Sequence, residues 1–148
     1  MGDRIAVMRD GEIVQCDRPM AIYDHPADQF VGGFIGSPPM NFLRGTVADG
    51  QFRGEGFSVP AAGVPAGEAA LGIRAEHLAL ADAGIPAQVL VVEPLGAHAL
   101  VTARVGSTPV KIQTAVDTAV RPNEQVHLHL DPARIRWMDA AGAALDGR

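Results

Sequence analysis

The order of residues predicts a mainly β protein: a barrel or sandwich of short strands behind a small α/β piece. Three observations carry that prediction. From Met40 onward, short apolar runs recur about every ten residues with turn residues between them, as in closed β architectures. Before that, Phe30, Val31, Phe34 and Ile35 repeat at helical spacing, and the repeat stops at Gly36. Between the two lies Ser37-Pro38-Pro39. No helix continues through it, because proline lacks the amide hydrogen and pushes the preceding residue toward extended geometry. Gly33 to Leu43 therefore reads as a joint.

In chain order, 4–8 and 12–16 are apolar runs flanking Asp10-Gly11. A type I′ turn needs positive φ at both central residues, so Asp-Gly in that setting predicts a hairpin. Asp17 is placed to cap a short helix that starts near Arg18-Pro19, carries Met20, Ile22 and Tyr23, and closes at His25-Pro26. Pro26 is expected to start a second helix through Asp28, Phe30 and Val31. Beyond the joint, strands are expected over 42–47, 51–53, 57–60, 70–74, 87–93, 99–104, 110–114, 126–130 and 135–137. Asp49-Gly50 turns the first pair, 60–68 is a loop rich in Ala, Gly and Pro, and Asp82-Ala83-Gly84 closes the first half. Glu93-Pro94-Leu95-Gly96 turns the next pair, with Gly96 expected at positive φ.

Composition excludes several classes of function. The 148 residues are 47% apolar and 20% charged, enough for one respectable core, and at 5% aromatics that core is aliphatic. Net charge is −5, and Lys111 is the sole lysine, so no nucleic-acid partner is expected, since that affinity comes mainly from neutralising phosphates. A Walker A loop needs Gly-Lys-Ser/Thr, whereas Lys111 sits in Pro109-Val110-Lys111-Ile112. A single cysteine, Cys16, allows no internal disulfide and fits a reducing compartment; it reads as a small buried hydrophobe. No run nears the roughly 20 apolar residues of a membrane span. Asp3-Arg4 behind Met1 is no signal pattern, so a cytoplasmic location is expected.

A set of motifs in fixed order points to one family. They are Asp3-Arg4-Ile5-Ala6-Val7-Met8, Gly11-Glu12-Ile13-Val14-Gln15, Pro19, Ile22-Tyr23, Pro26, Phe30-Val31 and Phe34-Ile35-Gly36-Ser37-Pro38 through Met40-Asn41-Phe42. They continue with Leu71-Gly72-Ile73-Arg74-Ala75-Glu76-His77-Leu78, Val92-Glu93-Pro94-Leu95-Gly96, Leu130-Asp131-Pro132-Ala133-Arg134 and Trp137. Over essentially its whole length the chain resembles the ATP-binding subunits of ABC importers of the maltose and glycerol-3-phosphate type, where the ATPase domain ends and the regulatory domain begins. The family usually has proline at Ala75 and phenylalanine at Trp137. The resemblance implies that 1–36 is the end of an ATPase domain, a β-hairpin and two short helices. It implies that 37–148 is an OB-like, TOBE-type regulatory barrel. The family's Walker A loop, signature motif, Walker B carboxylates and switch histidine lie upstream of these motifs, so the chain reads as a C-terminal piece of a larger subunit. ATP and Mg belong to that parent, and no cofactor is expected here. The partners implied are a second copy, paired through the regulatory domain, the transmembrane permease subunits through the parent, and in some members a regulatory protein. The location implied is the inner face of the cell membrane.

Residues with possible site chemistry are few. Arg74 and Glu76 flank Ala75 and point to one side of an extended segment, either as a ligand clamp or as an ion pair fixing a strand end; the ion pair is favoured. His127 and His129 share one strand face and could hold a metal only with help from His98 or His77, too few ligands for a structural zinc site, so they read as solvent-facing. Glu93 has no nucleophile near it in sequence, and Ser58 and Ser107 lie in no Gly-x-Ser-x-Gly elbow. Arg74, Glu76, His77, Glu93 and Gly96 are the candidate structural or interface residues, with no catalytic constellation among them.

Three functional readings follow. The first is a regulatory and dimerisation module of a transport ATPase, which the resemblance implies. The second is a small-ligand sensor, since related barrels bind oxyanions; Gly63, Gly67, Ser107 and Thr108 are the residues such a site would recruit. The third, an oligonucleotide-binding barrel, needs a cationic groove with stacking aromatics that this composition does not supply.

Overall fold

The computed structural model describes residues 3–145. It opens with an antiparallel hairpin, β1 (Ile5–Arg9) and β2 (Glu12–Asp17), whose turn has Asp10 at φ 53° and Gly11 at φ 81°. That is the double positive φ the Asp-Gly pair predicts. Two short helices follow, α1 (Pro19–Asp24) and α2 (Gln29–Phe34). Val7, Ile22 and Val31 form a small buried cluster with Val14, Phe30 and Ile35 packed on it. So thin a core leaves the lobe dependent on what it docks against.

Three local expectations are corrected here. Asp17 does not cap α1. The cap position is Arg18, with no side-chain cap bond, and Asp17 Oδ1 accepts only from its neighbour's amide at 2.8 Å. Pro26 does not start α2 either. The Ala27 amide donates to Gln15 Oε1, and Asp28 stays extended, bridged to Ala143. Helix geometry begins only at Gln29, with Asp28 Oδ1 accepting from the Val31 amide at 2.9 Å as the cap. Cys16 is exposed rather than buried, because the hairpin has two strands only and Cys16 sits opposite Ala6 on its open face.

The rest is two five-stranded antiparallel sheets. One runs in the order β12 (Arg136–Asp139), β6 (Gly67–Ile73), β3 (Asn41–Ala48), β4 (Gln51–Gly54), β5 (Phe57–Pro60). The other runs β10 (Thr108–Ala115), β9 (His98–Val105), β8 (Ile85–Pro94), β11 (Gln125–Leu130), β7 (Leu78–Ala81). Strand β7 was not expected: Leu78-Ala79-Leu80-Ala81 is only four residues with no turn signal before it, and a 3₁₀ turn at Ala75–His77 brings it to β11.

Both sheets close on one aliphatic core that includes Leu43, Leu71, Ile73, Val89, Val101, Ile112 and Leu128. Phe52 is fully buried, with Trp137 at 5.1 Å from its ring. This is the mainly β, OB-like barrel the chain was expected to form. His127 and His129 both lie on the exposed face of β11.

Candidate functional site at the joint

The centre of the joint is Arg74. It directly follows strand β6, at the start of the 3₁₀ turn, and only 2% of its surface is exposed. From there its guanidinium crosses into the hairpin-and-helix lobe and donates three hydrogen bonds to backbone carbonyls. Nη1 reaches Ile35 at 2.6 Å and Gly32 at 3.3 Å, and Nη2 reaches Tyr23 at 2.9 Å. The same guanidinium lies 3.9 Å over the Tyr23 ring. A planar fork with five donors makes this possible; an ammonium at the same place would reach fewer carbonyls. Nε remains buried without a partner among the described residues. Burial pulls the Arg74 guanidinium below its ordinary range, with Tyr23, Glu76 and Asp24 opposing.

Glu76 does not pair with Arg74. Its Oε2 accepts from the Tyr23 hydroxyl at 2.6 Å, so the ion pair expected from sequence is replaced by a chain in which Tyr23 links the two. The reason is the 3₁₀ turn: it swings Glu76 onto the exposed surface while Arg74 stays inside. Tyr23 feels burial first and the Glu76 hydrogen bond second, and together they push its phenol up to about 12.

A second arginine repeats the device. Arg136, on β12, donates from Nε to the Asp24 carbonyl and from Nη1 to Ala133 and Ile135. The two carbonyls at the end of α1, Tyr23 and Asp24, are thus each taken by a guanidinium from the barrel. Cations complement a helix C-terminus, and orphan carbonyls there need donors.

Close backbone packing completes the joint. A Cβ on Gly32 would come within 2.9 Å of the Phe42 ring and 3.3 Å of the Met40 sulfur, so α2 lies on the start of β3 only because this residue is glycine. Gly36 has φ 109°, and a Cβ there would sit 2.6 Å from Arg74 Nη1. The Ser37–Pro38 bond that follows is cis. On the far side the C-terminal segment clamps the lobe: Gln29 N donates to Gly142 O and Ala144 N to Ala27 O.

The other candidates lie elsewhere. His77 ends the 3₁₀ turn, its carbonyl accepting from the Asp131 amide and its Nδ1 buried without a partner among the described residues. Glu93 is exposed near the end of β8, and Gly96, at φ 89°, turns that strand into β9 as expected. The structure brings Arg74 and Glu76 together through Tyr23 and leaves Glu93 and Gly96 outside. Sequence reasoning missed Tyr23 and Arg136 as parts of the joint. Tyr23 was visible only as an apolar helix position, and Arg136 only as an alternating strand residue. Among the described residues no group of three or more His, Cys, Asp or Glu is placed to hold a metal.

Two family models match along the barrel. Residues 36–78 match the MalK OB fold domain and residues 71–138 match the TOBE domain. The chain carries a MalK OB fold domain that runs into a TOBE domain. Its relatives include ATP-binding proteins named for ABC transport, sulfoquinovosyl glycerol transport and sn-glycerol-3-phosphate import. A 136-residue stretch is 43% identical to the ABC transporter ATP-binding protein y4oS of Sinorhizobium fredii, covering 86% of this chain and 37% of that protein. The sulfoquinovosyl glycerol transport ATP-binding protein SmoE of Agrobacterium fabrum is 36% identical over 152 residues, covering 95% of this chain and 42% of SmoE. The sn-glycerol-3-phosphate import ATP-binding protein UgpC of Ruegeria pomeroyi is 43% identical over 111 residues, covering 73% and 31%. The chain thus spans about two fifths of the length of the first curated relatives it matches. A crystal structure of the cytoplasmic molybdate-binding protein ModG shares the fold, with a TM-score of 0.53 at 15% identity, covering 66% of this chain and 94% of ModG.

Proposed function

We propose that this chain is the regulatory and dimerisation region of the ATP-binding subunit of an ABC importer for sugars, polyols or glycerol phosphates, and is itself without catalysis. On this reading 1–36 is the end of the ATPase domain and 37–148 the regulatory domain. Permease subunits are met through the parent protein, on the inner face of the membrane. The single observation that carries the reading is the Arg74 joint within a MalK-type OB fold and TOBE chain. Three guanidinium bonds and a second arginine make the lobe and the barrel move together, so a change in the lobe is passed to the barrel without slack. No helix among the described residues is long and apolar enough to cross a membrane.

The chemistry of Lys111 supports the absence of catalysis. Its ammonium donates to Thr102 Oγ1 at 2.8 Å and its backbone is bonded to Asn41, so it is a strand residue with its groups already engaged. Of the residues the oxyanion-sensor reading would recruit, Ser107 is already engaged: its amide and hydroxyl both donate to Glu55 Oε1, at 2.9 and 2.8 Å.

Two measurements on the purified chain test the proposal. Sedimentation equilibrium is expected to show a monomer–dimer equilibrium; a strict monomer at high concentration overturns the dimerisation role. An ATP hydrolysis assay is expected to read background only, and turnover that copurifies with the chain overturns the non-catalytic role.

A further inference from the structure

An open cleft of about 520 Å³ lies where the hairpin, α2, the start of β3 and the 140–142 turn meet. Its walls carry Arg9, Arg44, Asp28, Phe30, Phe34 and Gly33. Two arginines against one carboxylate leave it net positive. Asp28 is also divided, one oxygen capping α2 and the other 3.9 Å from Arg9. Arg44 is exposed, and among the described residues it makes no ion pair and no hydrogen bond with its side chain. The cleft also holds a stacked aromatic pair, Phe30 and Phe34, with centroids 5.6 Å apart and planes 11° from parallel. Arg9 lies 4.8 Å over the Phe30 ring, which fixes that ring's outer face, while Phe34 is 64% exposed. Among the described residues nothing lies within 4 Å of where a Gly33 side chain would begin, so the approach to the rings is open.

Each feature selects part of a ligand. A guanidinium without a partner among the described residues, in one cleft with another only partly neutralised, suits an oxyanion with several acceptor oxygens, and phosphate presents more of them to two forks than carboxylate does. An exposed phenyl backed by a second phenyl suits the flat face of a ring. We propose that this cleft binds a phosphate monoester carried on a ring, the phosphate on Arg44 and Arg9 and the ring against Phe34. A hexose phosphate and a nucleoside monophosphate share that chemistry.

The test is isothermal titration of the full chain with glucose 6-phosphate, adenosine 5′-monophosphate and inorganic phosphate. At least one ring phosphate is expected to bind, with inorganic phosphate about tenfold weaker or worse, since it forgoes the Phe34 contact. Arg44→Ala and Phe34→Ala are each expected to weaken that binding by about tenfold or more. Both side chains are exposed, so circular dichroism should show the fold unchanged. Which ring phosphate binds identifies the source. The proposal is overturned if neither binds at about 10 mM, if inorganic phosphate binds as tightly, or if both variants bind like the parent chain.

Discussion

The side chain of Asn41 pairs with the backbone of Lys111 as a neighbouring strand would. Its Nδ2 donates to the Lys111 carbonyl at 2.9 Å and its Oδ1 accepts from the Lys111 amide at 2.8 Å. Lys111 lies in β10, the edge of one sheet, and Asn41 begins β3 in the other. One carboxamide, 7% exposed, therefore gives the edge strand the partner its sheet lacks and joins the two sheets where the barrel would otherwise part.

Replacing Asn41 tests that closure. Asn41→Leu leaves a part-buried amide and carbonyl of Lys111 without partners, and a loss of about 1–3 kcal/mol is expected. Asn41→Asp sets a carboxylate oxygen against the Lys111 carbonyl and should be no better tolerated. Urea unfolding followed through Trp137, the sole tryptophan, reads both. A cost under about 0.5 kcal/mol would mean the edge is held by something else.

Arg74→Met is expected to loosen the lobe while sparing the barrel. Three carbonyls, at Tyr23, Gly32 and Ile35, lose their donor at once, and methionine fills the space without replacing any bond. Hydrogen exchange should quicken by about tenfold or more for amides in 19–35, with 85–115 unchanged. Arg74→Lys should fall between the two proteins. Uniform protection across all three would sink the idea that this residue couples lobe and barrel.

How much of this was legible beforehand depended on the range of the interaction. Turns written by Asp10-Gly11 and Asp49-Gly50 need only local φ, and both formed. The strand alternation of Val110-Lys111-Ile112 also held, since a half-buried strand repeats every two residues. Arg74 was singled out for an ion pair that does not form; its hydrogen-bond partners lie 39 to 51 residues away and are carbonyls, which carry no residue identity. That is why a nearby carboxylate, Glu76, looked like the natural partner. Asn41 was equally opaque: a carboxamide at a strand start reads as a turn residue until β10 arrives beside it. Cys16 misled because it was read from its residue type as a small buried hydrophobe, and it falls on the open face of a two-stranded hairpin.

Glu55 makes the contact between the sheets acid-sensitive. The Ser107 hydroxyl first, and the Ser107 amide second, hold its carboxylate below the usual glutamate range. A depressed carboxylate contributes stability above its unfolded value and loses it as pH falls through the folded one. The contact between the β4–β5 and β9–β10 turns should therefore open only on acidification below the ordinary glutamate range. An NMR titration of Glu55 checks it, and Ser107→Ala should move the midpoint upward. An unmoved midpoint would show that the hydroxyl contributes nothing.

Tyr23 offers the most direct view of the joint, because it is the only tyrosine in the chain and its ionisation is read alone in the near ultraviolet. Burial, then the hydrogen bond to Glu76 and its charge, keep the phenol neutral up to about 12, against the Arg74 cation. The unfolded chain should titrate near 10. With the folded value the higher one, the stability carried by the neutral phenol is complete below about pH 10 and disappears between about 10 and 12. Glu76→Gln keeps an acceptor but removes the charge, so the midpoint should fall without reaching the unfolded value. Tyr23→Phe, which deletes one partly exposed hydrogen bond, should cost about 1 kcal/mol and leave the Arg74 bonds in place. A folded-state midpoint near 10, with circular dichroism still native at that pH, would mean that the hydroxyl does not meet Glu76 and that the two arginines hold the joint without it.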